Sequence, residues 1–183
     1  MKNALYAVAL GLLISATSYA QAVKGYASLP KDSLTQKVSY SGVVSVPGAT
    51  QTALFGRASE WIARQTDRAP GEPTADAGSG MQLVRLRYKQ APQGFTDTHA
   101  NLYYFAVAIY TKEGRFRYQV DDVTYQNENP ALTSEDVKNR VPLEKYATAK
   151  PSKNTVAAMA DLDKHLREVV ASLTQSMGGA KAW

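Results

Sequence analysis

Three short stretches hold the residues from which chemistry could be built. In "DTHAN", Asp97, His99 and Asn101 alternate as ligands on one strand could. A metal site of that kind needs a third strong ligand, and none is evident nearby, so an ordinary polar loop is the simpler reading. Asp121-Asp122 sets two carboxylates side by side. Neighbours on a strand point to opposite faces, so the pair cannot readily share a proton. A bulge would bring both to one side, where they could hold a cation; otherwise the pair marks the end of a strand. The third stretch, "EGRFRYQV" (113–120), interleaves arginines with aromatics after a glycine, much as a strand that stacks nucleic-acid bases does.

Nothing else in the chain recruits catalysis. His165 sits between charged neighbours, Lys164 and Arg167, as on a solvated helix face. "GSG" at Gly78 is followed by neither a phosphate-loop lysine nor a nucleophile elbow. No serine, histidine and acid form a recognisable set. The expectation is a non-enzymatic protein with no catalytic residues, no metal ligands and no cofactor.

Compartment and bulk properties narrow the field further. "MKNALYAVALGLLISATSYA" reads as a secretory signal: Lys2 at its start, a short apolar run from Leu5 to Ile14, and small residues at Ser18 and Ala20. Cleavage after Ala20 or Ala22 would release a mature chain, periplasmic or extracellular. No later segment is apolar enough to span a bilayer, so no transmembrane helix is expected after cleavage. The chain has no cysteine, which excludes disulfides, thiolate metal sites and lipid attachment to a cysteine. Stability must come from a core, and about 160 residues can bury roughly 68–70% of the unfolded surface. The formal charge is +5, one unit of it from Lys2. That balance suits anionic partners without forming a basic run.

The elements that must position any site follow from periodicity. "KVSYSGVVSV" (37–46) alternates, with Val38, Tyr40, Val44 and Val46 on one face and serines on the other, which predicts a half-buried strand. Pro47-Gly48 ends it, and Thr50 or Thr52 can cap a helix in which Leu54, Ala58, Trp61 and Ile62 recur at helical spacing. The proline- and glycine-rich stretch 67–80 reads as a mobile loop. Strands are predicted in "MQLVRLRYKQ" (81–90), in "NLYYFAVAIYTK" (101–112) and, after a tight Glu113-Gly114 turn, from Arg115 onward. Residues 127–153 form an irregular crossing with at most a short helix near 134–139. A long amphipathic helix then carries Val156, Met159, Leu162, Leu166, Val169, Val170, Leu173 and Met177 on one stripe, ended by Gly178-Gly179. The order β-α-β-β-β-α with hairpin connections predicts an α+β domain over 37–177: a two-layer antiparallel sheet packed by two helices, after an N-terminal segment 21–36 and before a tail 178–183.

The run "SYSGVVSVPGATQTALFGRASEWIARQ", the hairpin "YTKEGRFRYQVDDVTY", the following "PLEKY" and the closing helix resemble the family known as domain of unknown function 4468. The resemblance spans about Val38 to Met177. It implies an exported bacterial protein, chiefly of the Bacteroidetes, with a fold like that of TATA-binding protein. The shared motifs are structural, so it implies no catalytic residues.

Alternation assigns the two sheet faces. Phe116, Tyr118 and Val120 fall on the helix-covered face, so the "EGRFRYQV" aromatics turn inward and cannot stack bases. With the signal sequence and the small charge, this argues against nucleic-acid binding. The opposite face carries Arg85, Arg87, Tyr104, Tyr110, Arg117 and Gln119. Its third strand reads Tyr104-Ala106-Ala108-Tyr110, with no charge where water is expected. Either another segment covers it, the crossing or the N-terminal stretch, or it is a recognition face, with alanines leaving room and arginines offering forked donors to carboxylate or phosphate. The predicted function is an exported, non-catalytic binding or interaction domain of the bacterial cell envelope. Its partner would be an envelope component or an anionic polymer, and the open face also permits self-association. The alternative is a small apolar-ligand binder, with its pocket between the long C-terminal helix and the sheet.

Overall fold

Alternation and turn chemistry build the sheet much as the residue pattern requires. The computed structural model describes residues 25–92, 100–127, 140–146 and 152–178. In chain order these form β1 (Tyr40–Ser45), α1 (Gln51–Ala63), β2 (Thr74–Asp76), β3 (Met81–Gln90), β4 (Asn101–Lys112), β5 (Arg115–Asn127), β6 (Val141–Pro142) and α2 (Lys153–Met177). The strands make one antiparallel sheet in the order β1-β5-β4-β3-β2, with β6 pairing β5. Both helices cover one face, giving the two-layer α+β architecture.

Thr50 caps α1, its hydroxyl accepting from Ala53 N at 3.1 Å. Leu54, Ala58, Trp61 and Ile62 are its buried residues, as the helical spacing predicts. They meet Val84, Leu86, Phe105, Val107, Ile109 and Phe116 from the sheet in one core. Trp61 donates its ring N–H to Ser172 Oγ at 3.1 Å, which pins α1 against α2. Arg57 Nη1 donates to the Met177 carbonyl at 2.9 Å and so occupies an acceptor in the last turn of α2.

Four features differ from the sequence reading. First, the stretch 67–80 is not a free loop: Arg68 bridges Leu86 and β2 pairs with β3, so it forms the sheet's edge. Second, β5 does not stop at Asp121-Asp122. It continues to Asn127 through a bulge in which Asp122 adopts φ 52°, a left-handed geometry that Asp tolerates better than most residues. Third, Tyr26 and Leu29, from the stretch just before the predicted domain, are buried in the core, where a short 3-10 turn (Gly25–Ser28) packs on α2. Fourth, "PLEKY" places Leu143 in the core, and Glu144 Oε1 accepts from Val38 N at 3.2 Å. The signal segment, Asp97 and His99, the helix expected near 134–139 and the tail beyond Gly178 lie outside the described residues.

Candidate functional site

The sheet face away from the helices divides into two halves. In the half built from the start of β4 and the end of β5, Tyr104, Ala106 and Ala108 are buried, and Tyr104 is only 2% exposed. Arg140 stacks its guanidinium carbon 3.6 Å from the Tyr104 ring centre, while Ala69 and Leu102 complete a small apolar cluster. Arg140 Nε and Nη2, Tyr104 Oη and Gln126 Oε1 are buried with no hydrogen-bond partner among the described residues. Tyr104 is therefore corrected as an exposed contact residue: its ring is covered.

The bulge at Asp122 decides the middle of the face. An extra residue on β5 opposite Phe105 turns both Asp121 and Asp122 to the side away from the helices. Each carboxylate is occupied there. Gln119 Nε2 donates to Asp121 Oδ2 at 2.6 Å, and Arg85 Nη1 pairs with Asp122 Oδ2 at 2.7 Å. Arg85 and Gln119 are thus tethered side chains, not free donors. Arg87, half-buried, lies directly across from Tyr104. Among the described residues no three His, Asp or Glu side chains gather as metal ligands would.

The other half, at the β4–β5 hairpin end, is open. Tyr110 and Arg117 are direct cross-strand partners, and the Arg117 guanidinium carbon lies 4.5 Å from the Tyr110 ring centre. They line a hollow of about 370 Å³ with Val43, Lys112 and Arg115. Val43 is 65% exposed, unusual for a valine within a strand. None of the three cations forms an ion pair among the described residues. The corner offers two guanidinium forks, one ammonium, an aromatic platform and an apolar contact. Its chemistry is recognition of carboxylate or phosphate groups attached to something with apolar surface.

On the helix side the polar groups are consumed internally. Gln90, fully buried, donates through Nε2 to the Ala158 carbonyl at 3.0 Å and to Asp161 Oδ2 at 2.8 Å. Its Oε1 accepts from Asn101 Nδ2 at 3.1 Å. Tyr88 donates to the same Asp161 oxygen at 2.5 Å. Burial pushes the Tyr88 hydroxyl up, helped by that carboxylate. For Asp161, burial alone would raise the carboxyl, but donation from Tyr88 and Gln90 outweighs it and holds the group below its ordinary value. His165 is half-buried, stacked on Tyr88 with ring centres 3.9 Å apart, so the expectation of a solvated histidine is corrected. Burial lowers its pKa against the pull of Glu168, Asp161 and Asp67. Beside the edge of β1, Tyr40, Tyr118, Arg167, Val170 and Ala171 line a groove of about 470 Å³.

Of the six residues assigned to the recognition face, the structure brings Tyr110 and Arg117 together, ties Arg85 and Gln119 to Asp122 and Asp121, and covers Tyr104. Lys112 and Arg115 join Tyr110 and Arg117 at the hairpin end, and the alternation of β4 and β5 already carried the signal for both. Arg140 could not be found that way, because it belongs to a stretch without periodicity.

No family model matches the sequence, and no curated protein does. Solved structures do resemble the fold. A TBP-like protein from Parabacteroides distasonis ATCC 8503 aligns with a TM-score of 0.60 at 15% identity, over 79% of this chain and 95% of that one. A DUF4468 family protein from Bacteroides ovatus ATCC 8483 aligns with a TM-score of 0.61 at 12% identity, over 87% and 96%. The family suggested by the "VPG", tryptophan-helix and "GRFRY" motifs thus meets a structural match to one of its members, and the chain has a TBP-like α+β fold.

Proposed function

We propose that this protein is an exported, non-catalytic binding module of the bacterial cell envelope, and that the hairpin-end corner around Arg117 and Tyr110 is its recognition surface for an anionic partner. The observation that carries the reading is the cluster of Lys112, Arg115 and Arg117 without ion pairs among the described residues, beside an exposed valine and a tyrosine platform. In the middle of this face, by contrast, Arg85 is neutralised by Asp122. A likeness of fold to TBP-like proteins says nothing of nucleic acid, because function resides in sites and not in folds. Three cations at one corner also make a small electrostatic footprint for a duplex.

The test is binding of the mature protein to immobilised polyglutamate and to phosphatidylglycerol vesicles across a salt series. The two arms separate carboxylate from phosphate recognition. Arg117→Ala with Arg115→Ala should abolish binding while leaving the melting temperature nearly unchanged; binding that survives the double change rejects the corner. Filter binding to duplex DNA should show no salt-dependent retention.

A second reading rests on the groove of about 470 Å³ between α2 and the β1 edge, whose Tyr40, Tyr118, Val170 and Ala171 could hold a small apolar ligand. Native mass spectrometry of protein from its own envelope would reveal a bound mass that Ala171→Trp removes.

A further inference from the structure

The edge of the sheet beside this corner carries a second observation. Ser39 N donates outward to the Pro30 carbonyl at 3.1 Å, and Val46 N donates inward to the Gly114 carbonyl at 2.8 Å. Backbone direction alternates along a strand, so the N–H and C=O groups of Ser41, Val43 and Ser45 point away from β5. No described residue pairs with them, and all three side chains are exposed. Exposed edges are ordinarily blunted by charge, proline, a bulge or shortness. At the far side of the sheet β2 has only three residues, ends at Asp76 and follows Pro73; on the side of β1, β6 has two residues, one of them Pro142. Tyr40–Ser45 carries none of these devices.

Both faces of that bare edge open into hollows. On one lies the basic corner; on the other lies the groove against α2. One wall of the groove is set by glycine at residue 42: the Tyr118 ring lies across it, and a Cβ there would sit 2.7–2.9 Å from the ring's outer atoms. A chain paired onto β1 would send alternate side chains into the two hollows in turn, which is how strand addition combines backbone affinity with side-chain selection.

We propose that β1 accepts an added strand from a partner protein, and that this strand is an extended segment alternating acidic and apolar residues. The acidic side chains face Arg115 and Arg117, which lie directly opposite Ser45 and Val43 on β5; the small Ser45 leaves the Arg115 guanidinium room to reach the edge. The apolar side chains enter the groove beside Tyr40, Tyr118 and Val170. A second copy of this chain fits less well, because its own β1 offers serine and valine, with no carboxylate, to the arginines. The inference rests on the proposed recognition corner for the sign of its ligand and adds the strand geometry.

The probe is a capped Glu-Val-Glu-Leu-Glu-Val peptide, measured by calorimetry and by amide shifts of the mature protein. The expected result is saturable binding with shifts centred on Ser41, Val43 and Ser45, and no binding of the Lys-for-Glu peptide. Val43→Pro removes one outward N–H without breaking a bond to β5, a position where an edge strand tolerates proline. It should weaken binding about tenfold, the order expected for one lost backbone hydrogen bond. Ser45→Glu, which sets a carboxylate against the probe's acidic side chains and leaves the backbone intact, should do the same if Val43→Pro fails to fold. N-methylating the peptide along one edge should abolish binding while keeping its charge. If the methylated peptide binds equally well, strand addition is overturned and the charge reading stands; if polyglutamate also fails to bind, both fall. A dimer of the chain alone that Val43→Pro dissolves would overturn the choice of occupant.

Discussion

Arg117 on β5 and Tyr110 on β4 face each other directly across the sheet, with the guanidinium carbon 4.5 Å from the ring centre. A neutral residue here sets the direction of a charged one. Tyr110→Ala should therefore weaken binding to polyglutamate although it removes no charge. A double-mutant cycle with Arg117→Ala should give a coupling of about 0.5–1 kcal/mol, the usual range for an exposed cation–π pair. Arg117→Lys should recover only part of the affinity, because an ammonium lacks the planar fork. Additive effects in the cycle would show that the stack has no role.

His165, stacked on Tyr88, should make stability fall on mild acidification. Its folded pKa is lowered by burial, so the unfolded chain binds the proton more readily. Stability is then full above the ordinary value of 6.5 and declines as pH drops toward the depressed folded value. His165→Phe keeps a ring against Tyr88 and cannot titrate, so it should flatten this slope in urea titrations. A further decline should appear only below the ordinary carboxylate value of 3.8, where Asp161 takes up its proton and its bonds from Tyr88 and Gln90 weaken. An unchanged slope in the phenylalanine variant would assign the acid sensitivity elsewhere.

The helices and long strands were legible because their apolar residues keep a single period, as in Leu54-Ala58-Trp61-Ile62 of α1 and in Val84-Leu86-Tyr88 of β3. What the pattern hid was polar. Gln82 and Gln90 fall on the core face, and nothing in a lone glutamine says that it will be buried. Gln82 is satisfied by the Phe55 carbonyl and Ser59, and Gln90 by α2 and Asn101, partners distant in sequence. The corner was half legible: alternation placed Tyr110 and Arg117 on the right face, but only the bulge reveals that Arg85 is neutralised by Asp122 while Arg117 is not. A bulge adds one residue without changing composition, so the sequence carries it only as an option at Asp121-Asp122.

Gln90→Ala should cost about 2–4 kcal/mol in chemical denaturation, because it deletes several buried hydrogen bonds at once and leaves a cavity under α2. Gln90→Leu restores volume but not the hydrogen bonds, leaving Asn101 Nδ2 without its acceptor, so it should recover only a minor part. Full recovery by leucine would mean that packing alone explains the residue.

Asp122 should reveal its backbone rather than its charge. Asp122→Val forces a β-branched residue to φ 52° and should destabilise by about 1–3 kcal/mol. Asp122→Gly relieves the backbone and loses only a half-exposed ion pair with Arg85, worth roughly 0–1 kcal/mol. Equal losses in the two variants would place the weight on the ion pair.

The ties along α2 also set a contrast in time. Gln90 holds the helix through Ala158 near its start, Trp61 through Ser172, and Arg57 through Met177 at its end. A helix fastened at both ends cannot peel away turn by turn, so its central amides should exchange with deuterium only when the whole domain opens. The outward amides of β1 across the groove, bonded to nothing described, should exchange almost at once. The slowest and fastest clocks of the molecule would then stand on opposite banks of one groove, and a guest strand would be read most directly as the fast bank slowing toward the other.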